Sequence, residues 1–392
     1  MLPPDQQELQ ETTKNASFIG STAAMGAVFG FILQLLVAYY FGASSKTDSF
    51  FMAQSTSELL SKLLLGGSIT AIFIPLFIER FTTHKSEDAW NLALNIFHLT
   101  TFVYILLITA LAIFTEPFVT FIAPGFTSSQ FDLTVRLIRI LLPSFFLLFL
   151  VEFATSMLHA LKAFALPALL RIVAPSVSII SILLLVRSLD IYALAIGVVA
   201  GSCIQLGILY YGLKKQGFHY HFFFKPSDPT IKKLLRLLYP FIFSALTTQA
   251  AGITYRILVS DLADGSLASL KFAEKITQLT AIIFLNSLTF VIYPLLSRKA
   301  SQGKLEGMRE TIISAFRLIT FVTIPIVVSI ALLRDQIINL IYTRGSFSPE
   351  DSAMTSGALL FLVIGLTTNG LSTVLGYTVL ALQKTKISVM VT

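Results

Sequence analysis

Charge is scarce in this sequence. Only 12% of the 392 residues are Asp, Glu, Lys or Arg, about half the share usual in soluble domains. That scarcity excludes a water-soluble globular fold of ordinary composition. Cysteine is nearly absent too: lone Cys203 sits inside an apolar run, which excludes an internal disulfide framework and argues against a metal-thiolate site. Five histidines are present, at 84, 98, 159, 219 and 221, with no ligand spacing on a shared face. Dinucleotide, phosphate-loop, zinc-protease and nucleophile-elbow motifs are all missing. No catalytic site, ATPase, metal or cofactor is therefore expected, and the energy for any work must come from a gradient or another component.

Apolar residues make up 55% of the chain. Long apolar runs recur, among them Ala23–Phe41, Thr101–Phe114, Ile140–Val151 and Ile172–Val186, and several continue through Ser, Thr or Gly, which helices in lipid tolerate. The pattern predicts an all-α polytopic membrane protein. Ten spans are expected, near 16–41, 48–78, 89–115, 131–158, 164–186, 190–213, 231–261, 266–297, 306–333 and 352–382, with Lys386 opening an eleventh. The Met1–Lys14 stretch carries Asp5, Glu8 and Glu11 against one lysine, unlike the basic start of a secretory leader.

Basic residues set the expected orientation. With a cytoplasmic N-terminus, sixteen Lys and Arg fall in inside loops against four (Lys46, Arg187, Arg334 and Arg344) outside. The net charge of +7 is thereby a topology signal, and the scatter of basic residues among loops speaks against a nucleic-acid partner.

An internal repeat divides the chain. Phe50–Gln54 resembles Leu270–Glu274 at an offset of 220, and Ile74-Pro75-Leu76 resembles Tyr293-Pro294-Leu295 at 219. Gly125 and Gly345 lie 220 apart in similar turns, and Ala160-Leu161-Lys162 matches Leu382-Gln383-Lys384 at 222. Duplicated halves of the same orientation predict two parallel-repeat helical lobes, six helices and then about four, related by an axis along the membrane normal. The expected division is a cytoplasmic segment over 1–15, a six-helix lobe over 16–225 and an incomplete second lobe over 226–392. By this arithmetic Thr392 falls where the second lobe's fifth helix has barely begun, so a chain cut short is expected.

Several ordered motifs resemble one family. They include Phe41-Gly42-Ala43 with Thr47-Asp48-Ser49-Phe50-Phe51, then Leu59–Lys62, Phe73-Ile74-Pro75 and Ala123–Phe126. The series runs on through Leu137–Ile140 and Phe164–Ala168 to Phe272–Lys275 and Tyr293–Ser297. Together they resemble the MurJ/MviN family of lipid II flippases, within the multidrug/oligosaccharidyl-lipid/polysaccharide exporter superfamily. The resemblance implies a fourteen-helix, V-shaped fold with a central cavity, the last helices forming a groove for a lipid tail. It implies alternating-access flipping of an undecaprenyl-pyrophosphate-linked peptidoglycan precursor across the bacterial inner membrane. One stretch departs from the family pattern. Ala27 and Leu33 stand where such proteins have arginines, and Gln34 where they have aspartate. A polysaccharide repeat-unit flippase is therefore the alternative, and a drug/cation antiporter a more distant one. The expected partners are an anionic lipid-linked sugar and membrane lipids, with a coupling cation as a further candidate and a monomeric chain.

Charges inside the apolar segments supply the candidate substrate-binding residues, since each costs about 2.5 kcal/mol or more at a helix centre. Glu58 and Lys62 sit four apart, either as a self-neutralising pair or as a cavity cation held until phosphate competes. Lys271, Glu274 and Lys275 form a net-positive cluster, or else a snorkelling one. Arg256 faces substrate or makes a structural bridge to Asp261 or to the 266–297 span. Asp48 either caps its own helix or takes part in transport. Arg136 and Arg139 open helix four, and Glu152 is a protonatable candidate that Ser144 or Ser156 could satisfy. The 34 phenylalanines are read as lipid-facing or packing surface.

Overall fold

The computed structural model describes residues 4–64, 68–83, 86–225, 227, 228, 247 and 249–382, with the side chains of 4–17, 61–64, 68–72, 83, 86 and 286–291 outside that description. Every regular element among them is helical. In order these are α1 (Pro4–Phe41), α2 (Ser45–Leu64), α3 (Ser68–Thr83), α4 (Ser86–Ile113), α5 (Thr115–Ile122), α6 (Ser128–Ala160), α7 (Ala165–Leu189) and α8 (Tyr192–Lys215). Then come α9 over 249–260, α10 (Ser266–Thr280), α11 (Asn286–Ser301), α12 (Leu305–Ile341) and α13 (Pro349–Ala381).

Seven of the described helices are long and apolar enough to cross a membrane: the Phe18–Phe41 part of α1, then α4, α6, α7, α8, α12 and α13. Their flanks stay apolar where they face outward, with Phe321 78% and Phe361 77% exposed. Such surface is tolerable in hydrocarbon and an aggregation hazard in water. The three other expected spans differ for separate reasons. The 48–78 span is divided between α2 and α3, with 65–67 outside the described residues. Most of 231–261 also lies outside them, as do Gln383, Lys384 and Lys386. The 266–297 span is interrupted by a π-turn at Ala281–Leu285, which joins α10 to α11. At the other end α1 begins at Pro4, ahead of the expected 16, because the Gln- and Glu-rich start is made of good helix formers.

Two compact units emerge, 1–36 with 49–262 and 37–48 with 263–392. In the first, α7 and α8 approach closely through small residues. A Cβ on Gly197 would meet Ser178 Cα at 2.8 Å, and one on Gly201 would meet Ala174 Cα at 3.3 Å. This is the small-xxx-small contact of membrane helices, where close backbone packing replaces the hydrophobic drive. Ser181 Oγ donates to Ala193 O at 2.7 Å and Gln205 Nε2 to Leu170 O at 2.9 Å, tying the pair. In the second unit Leu285, Leu296, Ile319, Leu366 and Val374 form a core joining the π-turn to α11, α12 and α13.

Structural devices recur at the repeat offset. Thr127 and Gln130 form a capping box at the start of α6, and Ser348 and Asp351 form one at the start of α13, 221 residues on. The turns before them are seated alike. Gly125 N donates to Ser260 Oγ at 3.2 Å within the first unit, and Ser346 N donates to Tyr39 O at 2.8 Å within the second. Ser260 and Tyr39 are themselves 221 apart, at the ends of α9 and α1. The last turn of each half's first helix thus supports the turn belonging to the other half.

Candidate functional site

Arg256 on α9 is the most telling of the expected site residues. It is only 8% exposed. Its Nε donates to Ser55 Oγ at 2.9 Å and its Nη2 to Ser55 O at 3.0 Å, both on α2. Ser55 Oγ in turn donates to Met52 O at 2.8 Å, which fixes the hydroxyl as an acceptor for the guanidinium. Among the described residues Arg256 makes no ion pair with Asp261, the bridge expected from sequence; the hydroxyl and carbonyl of Ser55 hold the cation. A serine can accept from the guanidinium without cancelling its charge, so the full positive charge persists in a half-dry setting. Glu58, three residues beyond Ser55 on α2, is exposed. Lys62 follows one turn later in α2, but its side chain lies outside the described residues, as does the expected Glu58–Lys62 pair.

The second unit carries the α10 cluster. Lys271 Nζ donates to Glu274 Oε2 at 2.8 Å, an i,i+3 ion pair. Lys275 is half-buried and turns away from that pair, its Nζ 3.5 Å from Gln278 Oε1. One carboxylate against two ammonium groups leaves a net positive charge on this face, and Lys275 is the cation without a carboxylate partner among the described residues. The π-turn opens six residues beyond Lys275. Such turns break the regular backbone ladder and occur often at functional sites.

Asp48 is buried, and its carboxylate accepts from Gly265 N and Ala268 N at 2.7 Å each. It therefore caps α10, its own repeat counterpart, rather than α2. For α2 the hydroxyl of Ser44 accepts from Thr47 N at 3.4 Å. Gly265 has φ +84°, and a Cβ there would collide with Ala43 O, so this approach requires glycine. Asp351 repeats the device, its Oδ2 accepting from both Ser348 N and Ala43 N at 3.0 Å.

Arg139 pairs with exposed Glu116 at 3.0 Å. Ser144 Oγ donates to Leu141 O at 2.6 Å and Ser156 Oγ to Glu152 O at 2.9 Å. No group of three or more His, Cys, Asp or Glu side chains among the described residues is placed to hold a metal ion. Sequence reasoning missed Ser55, Gln278 and the π-turn. It also missed a strap over 218–225, although Asn91, Asn95 and His98 repeat at helical spacing along α4 to receive it.

The chain is similar to known proteins in both sequence and fold. A family model described as lipid II flippase MurJ matches residues 37–392. A relative from Rickettsia prowazekii, named a probable lipid II flippase MurJ, is 26% identical over 342 residues, covering 86% of this chain and 67% of its own length. One of the same name from Borreliella burgdorferi is 28% identical over 354 residues, with coverage of 86% and 67%. Among solved structures, a lipid II flippase MurJ in an inward closed conformation matches with a TM-score of 0.81 at 22% identity, over 93% of this chain and 76% of that one. An inward-facing multidrug resistance MATE family transporter of the MOP superfamily matches with a TM-score of 0.69 at 15% identity, over 96% and 88%.

Proposed function

The chain belongs to the lipid II flippase MurJ family, and on that footing we propose that it moves lipid II from the cytoplasmic to the outer leaflet by alternating access. It is a multi-pass transporter of the bacterial inner membrane, and its family is not one of enzymes. The family match displaces the polysaccharide-unit and antiporter readings. The substrate is an anionic lipid-linked sugar, so its pyrophosphate calls for cations that stay charged and can let go again.

The observation that carries the site assignment is the neutral hold on Arg256. A buried guanidinium bonded to a carboxylate would be self-satisfied; one bonded to Ser55 keeps donors and charge for an incoming phosphate. In the second unit Lys275 offers a point charge, with Lys271 tempered by Glu274. Glu58 and Lys62 on α2 modulate the first of these cations, and Asp48 serves by fixing the start of α10. Excess unpaired charge would trap the substrate, so the partial neutralisation by Glu58 and Glu274 suits turnover.

The proposal extends to topology and assembly. The N-terminus is cytoplasmic, residues 1–15 form a cytoplasmic segment, and the lobes divide at 225 and 226. The chain acts as a monomer, with a coupling cation supplying part of the drive. The test of transport is the leaflet accessibility of lipid II in cells that depend on this protein. Normal flipping by a variant carrying Arg256→Ala and Lys275→Ala, at unchanged abundance, would show that these cations are structural.

A further inference from the structure

The first unit holds a cavity that none of the cations described above lines. It is a cavity of about 510 Å³, within the roughly 300–1,000 Å³ range usual for small-molecule sites. Its walls are almost wholly apolar, built by Phe97 of α4, Leu150 and Met157 of α6, Leu206 and Tyr210 of α8, and Phe218 beyond α8. A dry void of this size forfeits van der Waals contact along its whole lining. The helices that build it, α4, α6 and α8, are all long and apolar enough to span a membrane.

The polar groups sit at one end. Along α8 the lining residues Cys203, Leu206, Gly207, Tyr210 and Leu213 repeat every three or four positions, so they form one helix face. Lys214 continues that face one turn past Tyr210 and is exposed. Lys215 beside it lies over the Tyr211 ring at 4.7 Å. The strap after α8 contributes Phe218 and Tyr220 to the lining. Asn95 exchanges hydrogen bonds with Lys225 at 2.8 and 2.9 Å, His221 Nε2 is 2.6 Å from Asn91 Oδ1, and His98 sits 3.0 Å from Phe223 O and 3.1 Å from the Tyr220 hydroxyl. Phe218 and Tyr220 are thereby held as cavity walls rather than as loose loop residues.

We infer that this cavity binds one acyl chain of an anionic glycerophospholipid, with the phosphate held at Lys214 and Lys215. The apolar walls suit a hydrocarbon chain and nothing polar, while the lysines that end α8, one turn past the lining residue Tyr210, select for negative headgroup charge. The strap makes the site a built one, because its polar ladder to α4 fixes the wall independently of any lipid. The site goes beyond the transport reading and does not depend on it.

The chain provides its own reporter, since Cys203 is its single cysteine, exposed and on the cavity wall. The full chain is reconstituted in nanodiscs of phosphatidylcholine alone or with phosphatidylglycerol, and alkylation of Cys203 by N-ethylmaleimide is timed by mass spectrometry. Phosphatidylglycerol should slow alkylation several-fold in a saturable manner. Lys214→Gln and Lys215→Gln should each weaken that protection about fivefold, whereas Lys304→Gln, a basic loop residue of the other unit, should leave it unchanged. A second measurement avoids reliance on the thiol. A Cβ at Gly207 meets nothing within 4 Å, so Gly207→Leu should fold and fill the space. Phosphatidylglycerol retained by the wild type through detergent purification should then be lost from that variant. Equal protection by the two lipids, or protection indifferent to both lysines, would reduce the cavity to ordinary annular contact and overturn the inference. Protection by a polyprenyl phosphate but not by phosphatidylglycerol would overturn it as well, assigning the cavity to a prenyl chain.

Discussion

Arg256 and Lys275 carry the same charge and are presented in opposite ways. Arg256 is buried, and two of its donors are locked on Ser55, so its guanidinium plane is fixed before any ligand arrives. Lys275 is half-buried, and its ammonium has a single long contact with Gln278. A fixed fork recognises a phosphate by geometry, while a tethered point charge follows it with little directional demand. On the proposed reading Arg256 orients a phosphate and Lys275 attracts it, and each role predicts its own sensitivity to substitution.

The largest effect is expected at the fixed cation. Arg256→Lys keeps the charge but cannot make both contacts to Ser55, so flipping should fall about tenfold or more, nearly as far as in Arg256→Ala. Measured in the same cells by lipid II accessibility, Lys275→Arg should retain most activity. Equal tolerance of the two exchanges would erase the distinction. Next comes Asp48→Ala, which strands the buried N–H groups of Gly265 and Ala268. Each unpaired buried donor costs about 1–3 kcal/mol, so the purified protein should melt several degrees lower, read as a drop in Tm. An unchanged Tm would mean that α10 does not need its cap.

Ser55→Ala should act only through Arg256. Loss of the hydroxyl removes one charge-assisted bond, worth about 2 kcal/mol, while the Ser55 carbonyl remains. Flipping should fall by less than in Arg256→Ala, and the two substitutions combined should be no worse than Arg256→Ala alone. Additive losses would separate Ser55 from the arginine. The smallest effect belongs to Glu274→Gln, which releases Lys271 from its pair at 2.8 Å. Substrate should bind more tightly and leave more slowly, a modest fall in turnover with raised affinity. A fall in affinity instead would make Glu274 part of the recognition itself.

Local pattern was enough for some features and not for others. The capping boxes at Thr127 and Ser348 follow from residues three apart, and the Asn91, Asn95, His98 ladder was there to be read at helical spacing. Lys271 and Glu274, also three apart, pair as their spacing suggested. Asp48 shows where such reasoning stops. A carboxylate in a first turn ordinarily caps that turn, yet here the donors it meets lie 217 and 220 residues away. The interruption at Ala281–Leu285 left no local mark either, because an apolar stretch reads alike in α- and π-geometry.

The sequence by itself determined that the chain is helical, that it lies in a membrane, and that its halves are repeats. Each of those properties is carried by composition or by short-range periodicity, which survive without knowledge of any partner. Only the tertiary structure decided what Arg256 rests on, which helix Asp48 caps, and that α4, α6 and α8 leave an apolar cavity open beside Lys214. These depend on groups that folding brings together from far along the chain. A charge shows its type in the sequence, but whether it is cancelled, held by a neutral group or left for a ligand is settled by what packs against it.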